Sequence, residues 1–171
     1  ASLLLPGASE GTATVVVGDD LGNVRCIAAG GHDAGGEVWS STSLCNVSAL
    51  ATMPDLDGDG VPEVAAGGAE QYVVLRSGRS GAAIWKQSLG PDGRHYIHRL
   101  AACGDSNGDG IADVVAWTWA GTLVTLDGQS GRVLWQNRVD QGFTDAMAPA
   151  ADLDGDGRTE FLVGGNNRTL R

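Results

Sequence analysis

No stretch of this 171-residue chain approaches the roughly 18 consecutive apolar residues of a membrane-spanning helix. Leu3-Leu4-Leu5 is too short for a signal-peptide core and has no basic flank. Cysteine is scarce. Cys26, Cys45 and Cys103 share no metal-ligand spacing, which argues against a zinc framework. They leave two arrangements open, one disulfide with a thiol left over or three buried thiols. Basic residues are few, 11 Lys and Arg against 21 Asp and Glu, so the chain has no nucleic-acid footprint. Histidine is limited to His32, His95 and His98. On an extended segment, His95 and His98 point to opposite faces and make a poor metal pair. There is no Gly-x-Ser-x-Gly, no Cys/His pairing and no phosphate-cradling glycine loop.

Glycine and acidic residues are abundant, and they come together. Three nonapeptides are nearly identical: Asp55-Leu-Asp-Gly-Asp-Gly-Val-Pro-Glu63, Asp105-Ser-Asn-Gly-Asp-Gly-Ile-Ala-Asp113 and Asp152-Leu-Asp-Gly-Asp-Gly-Arg-Thr-Glu160. Each places oxygen-bearing side chains at positions 1, 3, 5 and 9 and glycine at positions 4 and 6. Calcium requires six to eight hard oxygen ligands at roughly 2.3–2.6 Å, and a tightly wound nonapeptide supplies most of them. Glycine permits the positive-φ turns that bring alternate side chains inward. An EF-hand is excluded on two grounds. It needs a bidentate Glu at position 12 and flanking helices, whereas position 12 here is Ala66, Ala116 and Val163, within β-branched runs.

The formal charge of -10 belongs to these loops. They hold 11 carboxylates, and the rest of the chain carries +1. The acidity is therefore no sign of a cationic partner.

The loops begin at 55, 105 and 152, at spacings of 50 and 47. One step back, Pro6-Gly-Ala-Ser-Glu10-Gly11-Thr-Ala-Thr14 aligns with them but offers no carboxylate at positions 1 and 3, a degenerate fourth loop expected not to bind calcium. Each loop is followed by a short apolar run: Val15–Gly18, Val64–Gly67, Val114–Trp117 and Phe161–Gly164. A second landmark keeps step, a tryptophan after a glycine turn, at Trp39, Trp85 and Trp135. The unit reads as strand, calcium loop, strand, hairpin, strand, turn, strand ending in tryptophan. In the third unit the strands are expected over 97–103, 113–117, 121–126 and 132–136. Four short antiparallel strands every 47–50 residues predict an all-β chain of β-propeller blades, about three and a half repeats, with the calcium loops between first and second strands. The units run over approximately 1–40, 41–88, 89–138 and an incomplete 139–171. Ends that fall inside units are expected of part of a larger chain; a closed four-bladed ring and an open array stacking on copies of itself are the alternatives.

The motif Asp-x-Asp/Asn-x-Asp-Gly-x-x-Asp/Glu, followed by apolar residues and glycine, resembles FG-GAP or VCBS-type repeats, the calcium-bearing blades of integrin α-subunit propellers and of secreted bacterial propellers. The resemblance covers essentially the whole chain. It implies three calcium ions. The first would be held by the side chains of Asp55, Asp57, Asp59 and Glu63 with the Val61 carbonyl. The second would be held by Asp105, Asn107, Asp109 and Asp113 with the Ile111 carbonyl, and the third by Asp152, Asp154, Asp156 and Glu160 with the Arg158 carbonyl. Glu at position 9 in two loops and Asn at position 3 in one depart from the pattern. The run Thr125–Trp135 is also similar to the tryptophan-docking motif of quinoprotein dehydrogenase blades, where the tryptophan packs between blades.

The expected function is a calcium-stabilised extracellular or cell-surface scaffold for adhesion or for binding a protein or glycan ligand, with no catalysis and no nucleic-acid partner. The alternatives are a subunit of an extracellular filament, with copies of itself as partners, and part of a secreted polysaccharide-active or quinoprotein-like enzyme. Carboxylates held by calcium make poor general bases, because the ion holds their pKa down. Asn46-Val-Ser48 and Asn167-Arg-Thr169 are candidate glycosylation sites. Trp117 and Trp119 are expected on one strand face or near the hairpin tip, where glycan stacking, or core or interblade packing, would use them.

Overall fold

The computed structural model describes residues 1–6, 13–42, 46–90, 96–138, 144–150, 153, 155 and 160–165. These residues form strands and turns. The first sheet is β1 (Ser2–Pro6), β2 (Ala13–Gly18), β3 (Asn23–Ala28) and β4 (Glu37–Thr42). The second is β5 (Val47–Thr52), β6 (Val64–Gly68), β7 (Tyr72–Arg76) and β8 (Ala83–Ser88). The third is β9 (Ile97–Ala102), β10 (Val114–Thr118), β11 (Thr122–Leu126) and β12 (Val133–Arg138), and β13 (Thr144–Pro149) pairs with β14 (Phe161–Gly165). In each four-stranded sheet the strands lie in chain order and pair antiparallel. Each sheet is a blade. The first strands β1, β5 and β9 neighbour one another across blades, and the fourth strands form the outer edges.

The apolar runs after the loops have a packing reason. Every residue of β6 and of β10 is buried, because these strands are covered on both faces. Val64, Ala66 and Val74 pack on Leu5, Val16, Val24, Cys26 and Trp39 of blade one. Their opposite neighbours Ala65, Val73 and Leu75 pack on Ile97, Val114, Ala116, Val124 and Leu126 of blade three. The core thus sits between sheets, and period-two alternation only selects which neighbour each side chain meets. Blade one is covered on the blade-two side, while Leu4 and Val38 stay exposed.

Cys26 and Cys103 are buried free thiols, not a disulfide; Cys45 lies outside the described residues. Burial pushes the Cys103 thiol up to about 11, so it is protonated and inert at neutral pH.

Candidate metal centre

Loop one winds around Asp55. Its Oδ1 accepts the amides of Gly58 at 2.8 Å and Asp59 at 3.2 Å, and its Oδ2 accepts that of Gly60 at 2.9 Å. Asp57 accepts from the Asp59 amide and Asp59 from the Val61 amide, at 3.1 and 2.8 Å. Gly58 and Gly60 adopt φ of 79° and 83°, where a side chain would be strained. One oxygen each of Asp55, Asp57 and Glu63 lie within 4.8 Å of one another. Two ligands about 2.4 Å from a shared ion are at most about 4.8 Å apart, so the cluster has the size of a calcium site.

Glu63 decides whether a cation fits. It is fully buried. Its Oε2 accepts the Leu56 amide at 2.7 Å, while its Oε1 has no hydrogen-bond partner among the described residues. Burial, followed by the charges of Asp57 and Asp55, raises its pKa. A buried carboxylate oxygen facing other carboxylates is costly unless a cation sits beside it. The donor set is all oxygen, which suits calcium rather than a soft metal.

Loop two repeats the winding. Asp105 accepts from Asn107, Gly108, Asp109 and Gly110 at 2.6–3.2 Å. The Gly110 amide is the leading cause that holds its carboxyl below the ordinary range. Asn107 accepts the Asp109 amide and Asp109 that of Ile111. Asp113 is also fully buried, and burial raises its pKa. Unlike Glu63, both its oxygens are engaged, with the Ser106 amide at 2.8 Å and the Gly128 amide at 3.0 Å. In loop three the described residues are Leu153, Gly155 and Glu160; Asp152, Asp154, Asp156 and Arg158 lie outside them. Glu160 Oε2 accepts the Leu153 amide at 2.5 Å. The position-9 carboxylate therefore closes onto the position-2 amide in all three loops. Most of the degenerate loop, with Glu10, is also outside the described residues.

Loops one and two each lean on the turn between the third and fourth strands of their own blade. A Cβ on Gly78 would lie 1.9 Å from the Pro62 carbonyl oxygen, and one on Gly128 2.0 Å from that of Ala112. The same turn receives a tryptophan from the preceding blade. Trp39 Nε1 donates to the Gly78 carbonyl at 2.8 Å and Trp85 Nε1 to that of Gly128 at 2.9 Å. The rings cover Gly81 and Gly131, where a Cβ would approach within 2.5 and 2.6 Å. The resemblance implied that the tryptophan packs between blades, as it does; sequence reading missed that it docks on the turn glycines Gly78 and Gly128. The signal was present in the 50-residue offset, which carries Gly78 onto Gly128 and Trp85 onto Trp135.

Other candidates are dispersed. Trp117 is buried and Trp119 is 52% exposed; the expectation of a shared strand face is corrected, and Trp119 lies in the hairpin turn that follows β10. The register shifts between Trp117 and Thr118, and the strand ends at Thr118. Trp119 stands 4.7 Å from the His98 ring, tilted by 56°. Asn46 Nδ2 donates to Asp20 at 3.0 Å, and Ser48 Oγ donates to the Ile97 carbonyl at 2.5 Å. His95 and Asn167 lie outside the described residues.

Residues 55–116 match the model of the FG-GAP-like repeat. This stretch is similar to FG-GAP-like repeats. Among solved structures, BamB from Moraxella catarrhalis aligns with a TM-score of 0.63 at 20% identity, over 96% of this chain and 45% of that one. Saccharomyces cerevisiae Sqt1 aligns with a TM-score of 0.71 at 14% identity, over 96% and 45%. BBS1N in complex with ARL6DN aligns with a TM-score of 0.70 at 10% identity, over 99% and 45%. These neighbours are β-propellers, and the fold of this chain is theirs. The chain spans less than half the length of each. No curated protein matches by sequence.

Proposed function

We propose that this FG-GAP-like chain is a calcium-locked β-propeller scaffold that binds an extracellular protein or glycan ligand through its loops and carries out no chemistry itself. The observation that carries the calcium reading is the buried Glu63 Oε1, without a donor and grouped with Asp55 and Asp57. Asp55, Asp57, Asp59 and Glu63 would hold one ion, and Asp105, Asn107, Asp109 and Asp113 a second. Glu160 would close a third. Bound calcium supplies the positive charge that these carboxylates lack. The chain's own residues wind the loop, exclude water from Glu63 and seat the neighbouring blade's tryptophan.

A protein partner is supported by the structural neighbours. BBS1N is seen in complex with ARL6DN, and Chaetomium thermophilum Sqt1 bound to the N-terminus of ribosomal protein L10. An extracellular setting is in keeping with the calcium reading, since oxygen-ligand sites of extracellular modules fill at the millimolar calcium found outside cells. The non-catalytic reading follows from the loop carboxylates, which are tied to backbone amides and would be ion ligands.

Calorimetric titration with calcium should give three sites. Saturating calcium binds the folded loop and contributes about 2.7 kcal/mol per site at 100 Kd, so chelator should lower the melting temperature by many degrees. Asp57→Ala should remove part of that shift. An unchanged melting curve in excess EDTA would reject the calcium lock.

A further inference from the structure

The turn that leans on each loop carries opposite chemistry in blades two and three. In blade two, Arg79 reaches over loop one. Its Nε lies 3.3 Å from Asp59 Oδ2, and its Nη2 donates to the Asp59 carbonyl. Asp59 Oδ1 accepts the Val61 amide and keeps one lone pair, so Arg79, lying against Oδ2, competes with an ion for the oxygen that has no amide on it. Fifty residues on, that position is Gln129.

Two residues earlier the chemistry reverses. Blade two has Ser77 and blade three has Asp127. Asp127 Oδ1 is anchored by the amide and hydroxyl of Ser130 at 2.6 and 2.8 Å. Its Oδ2 accepts Asn107 Nδ2 at 2.8 Å, and the same Nδ2 donates to Asp109 at 3.1 Å. With its amide nitrogen so engaged, Asn107 must turn its carbonyl oxygen the other way. That oxygen accepts the Asp109 amide through one lone pair and keeps a second for an ion. The carboxylate that Asp57 gives loop one is thus absent from position 3 of loop two and reappears across the fold at Asp127.

We propose that this turn sets the calcium affinity of the loop beneath it, in opposite directions in the two blades. Arg79 weakens the first site by competing for Asp59. Asp127 strengthens the second, as a positioning residue for Asn107 and as the charge asparagine lacks. The inference rests on the calcium reading above. Charge count around the ligands is a main determinant of calcium affinity. One unit charge at this range, on the half-exposed Arg79 or the buried Asp127, changes affinity by about tenfold or more.

The test is a calcium titration of the full chain by ¹H–¹⁵N NMR. It follows the amides of Gly60 and Gly110, which donate to Asp55 and Asp105 inside the two loops. Arg79→Gln, a half-exposed side chain, should tighten the Gly60 transition about tenfold and leave Gly110 in place. Asp127→Asn can keep the Ser130 bonds while losing the acceptor for Asn107, and should weaken the Gly110 transition alone, again about tenfold. Asn107→Asp combined with Asp127→Ser writes the blade-two pair into blade three and should restore it. A variant that leaves its own loop unmoved, or moves both loops equally, overturns the inference while calcium binding stands. No response at either glycine in the natural chain removes the calcium reading and this inference with it.

Discussion

Loops one and two share a backbone and differ at the buried carboxylate. Both wind around a position-1 aspartate, both place glycine at positive φ, and both press a turn glycine onto the carbonyl before position 9. In loop two the short Asp113 satisfies both oxygens with the amides of Ser106 and Gly128. In loop one the longer Glu63 reaches the position-2 amide with one oxygen and leaves the other without a donor. Loop two is therefore close to satisfied by its own protein, and loop one is not. One methylene separates a carboxylate with both oxygens hydrogen-bonded from one whose second buried oxygen has no donor.

The largest expected effect challenges the shared backbone. Gly78→Ala and Gly128→Ala each drive a Cβ within 2.0 Å of a carbonyl oxygen, which forces turn and loop apart. Each should cost at least about 3 kcal/mol, read as a loss in urea midpoint. Because Trp39 and Trp85 are seated on these same residues, tryptophan emission should shift in both variants. A loss confined to one variant would show that the two turns do not bear on their loops alike.

A smaller effect sharpens the chemical difference. In chelator, Glu63→Gln removes a buried charge beside Asp55 and Asp57 and should stabilise by about 1 kcal/mol. Asp113→Asn instead places an amide nitrogen against one of two backbone donors and should destabilise by about 1–2 kcal/mol. With calcium, both should destabilise. Equal responses of the two variants in chelator would contradict the orphaned Glu63 oxygen.

The smallest effect is in pH. The Glu63 and Asp113 carboxyls are raised above their ordinary values of 4.5 and 3.8, chiefly by burial. A raised folded pKa means that the folded state binds the proton more tightly. Its stabilisation is full below the ordinary value and is lost as pH rises through the folded one. Asp105 and Asp127 are lowered, so their contribution is lost only on falling below 3.8. Metal-free protein should therefore melt lower at pH 7 than at pH 5. Calcium-loaded protein should show the opposite slope, since the ion needs both carboxylates ionised. A metal-free melting temperature that rises with pH would show that these two groups do not dominate.

The strands of the third blade were legible to within two residues, because turn residues and apolar runs mark them locally. The winding of the loops was legible for the same reason, since its hydrogen bonds span two to five residues. The face of Trp119 was not, because a register shift past Trp117 breaks the alternation. Nor were the pairings of Asn107 with Asp127 and of Arg79 with Asp59, each 20 residues apart.

By itself, the sequence determined the repeat, the all-β architecture and the oxygen-bearing residues of each loop, since positions 1, 3, 5 and 9 belong to one continuous stretch of chain. Only the tertiary structure decided which of those oxygens stays without a partner, and which charges lie above each loop. The Gly128 amide that completes Asp113 lies 15 residues away, and the tryptophans that hold the turns come from 39 and 43 residues away in a neighbouring blade. The packing of blade against blade sets those distances, and no local pattern encodes it.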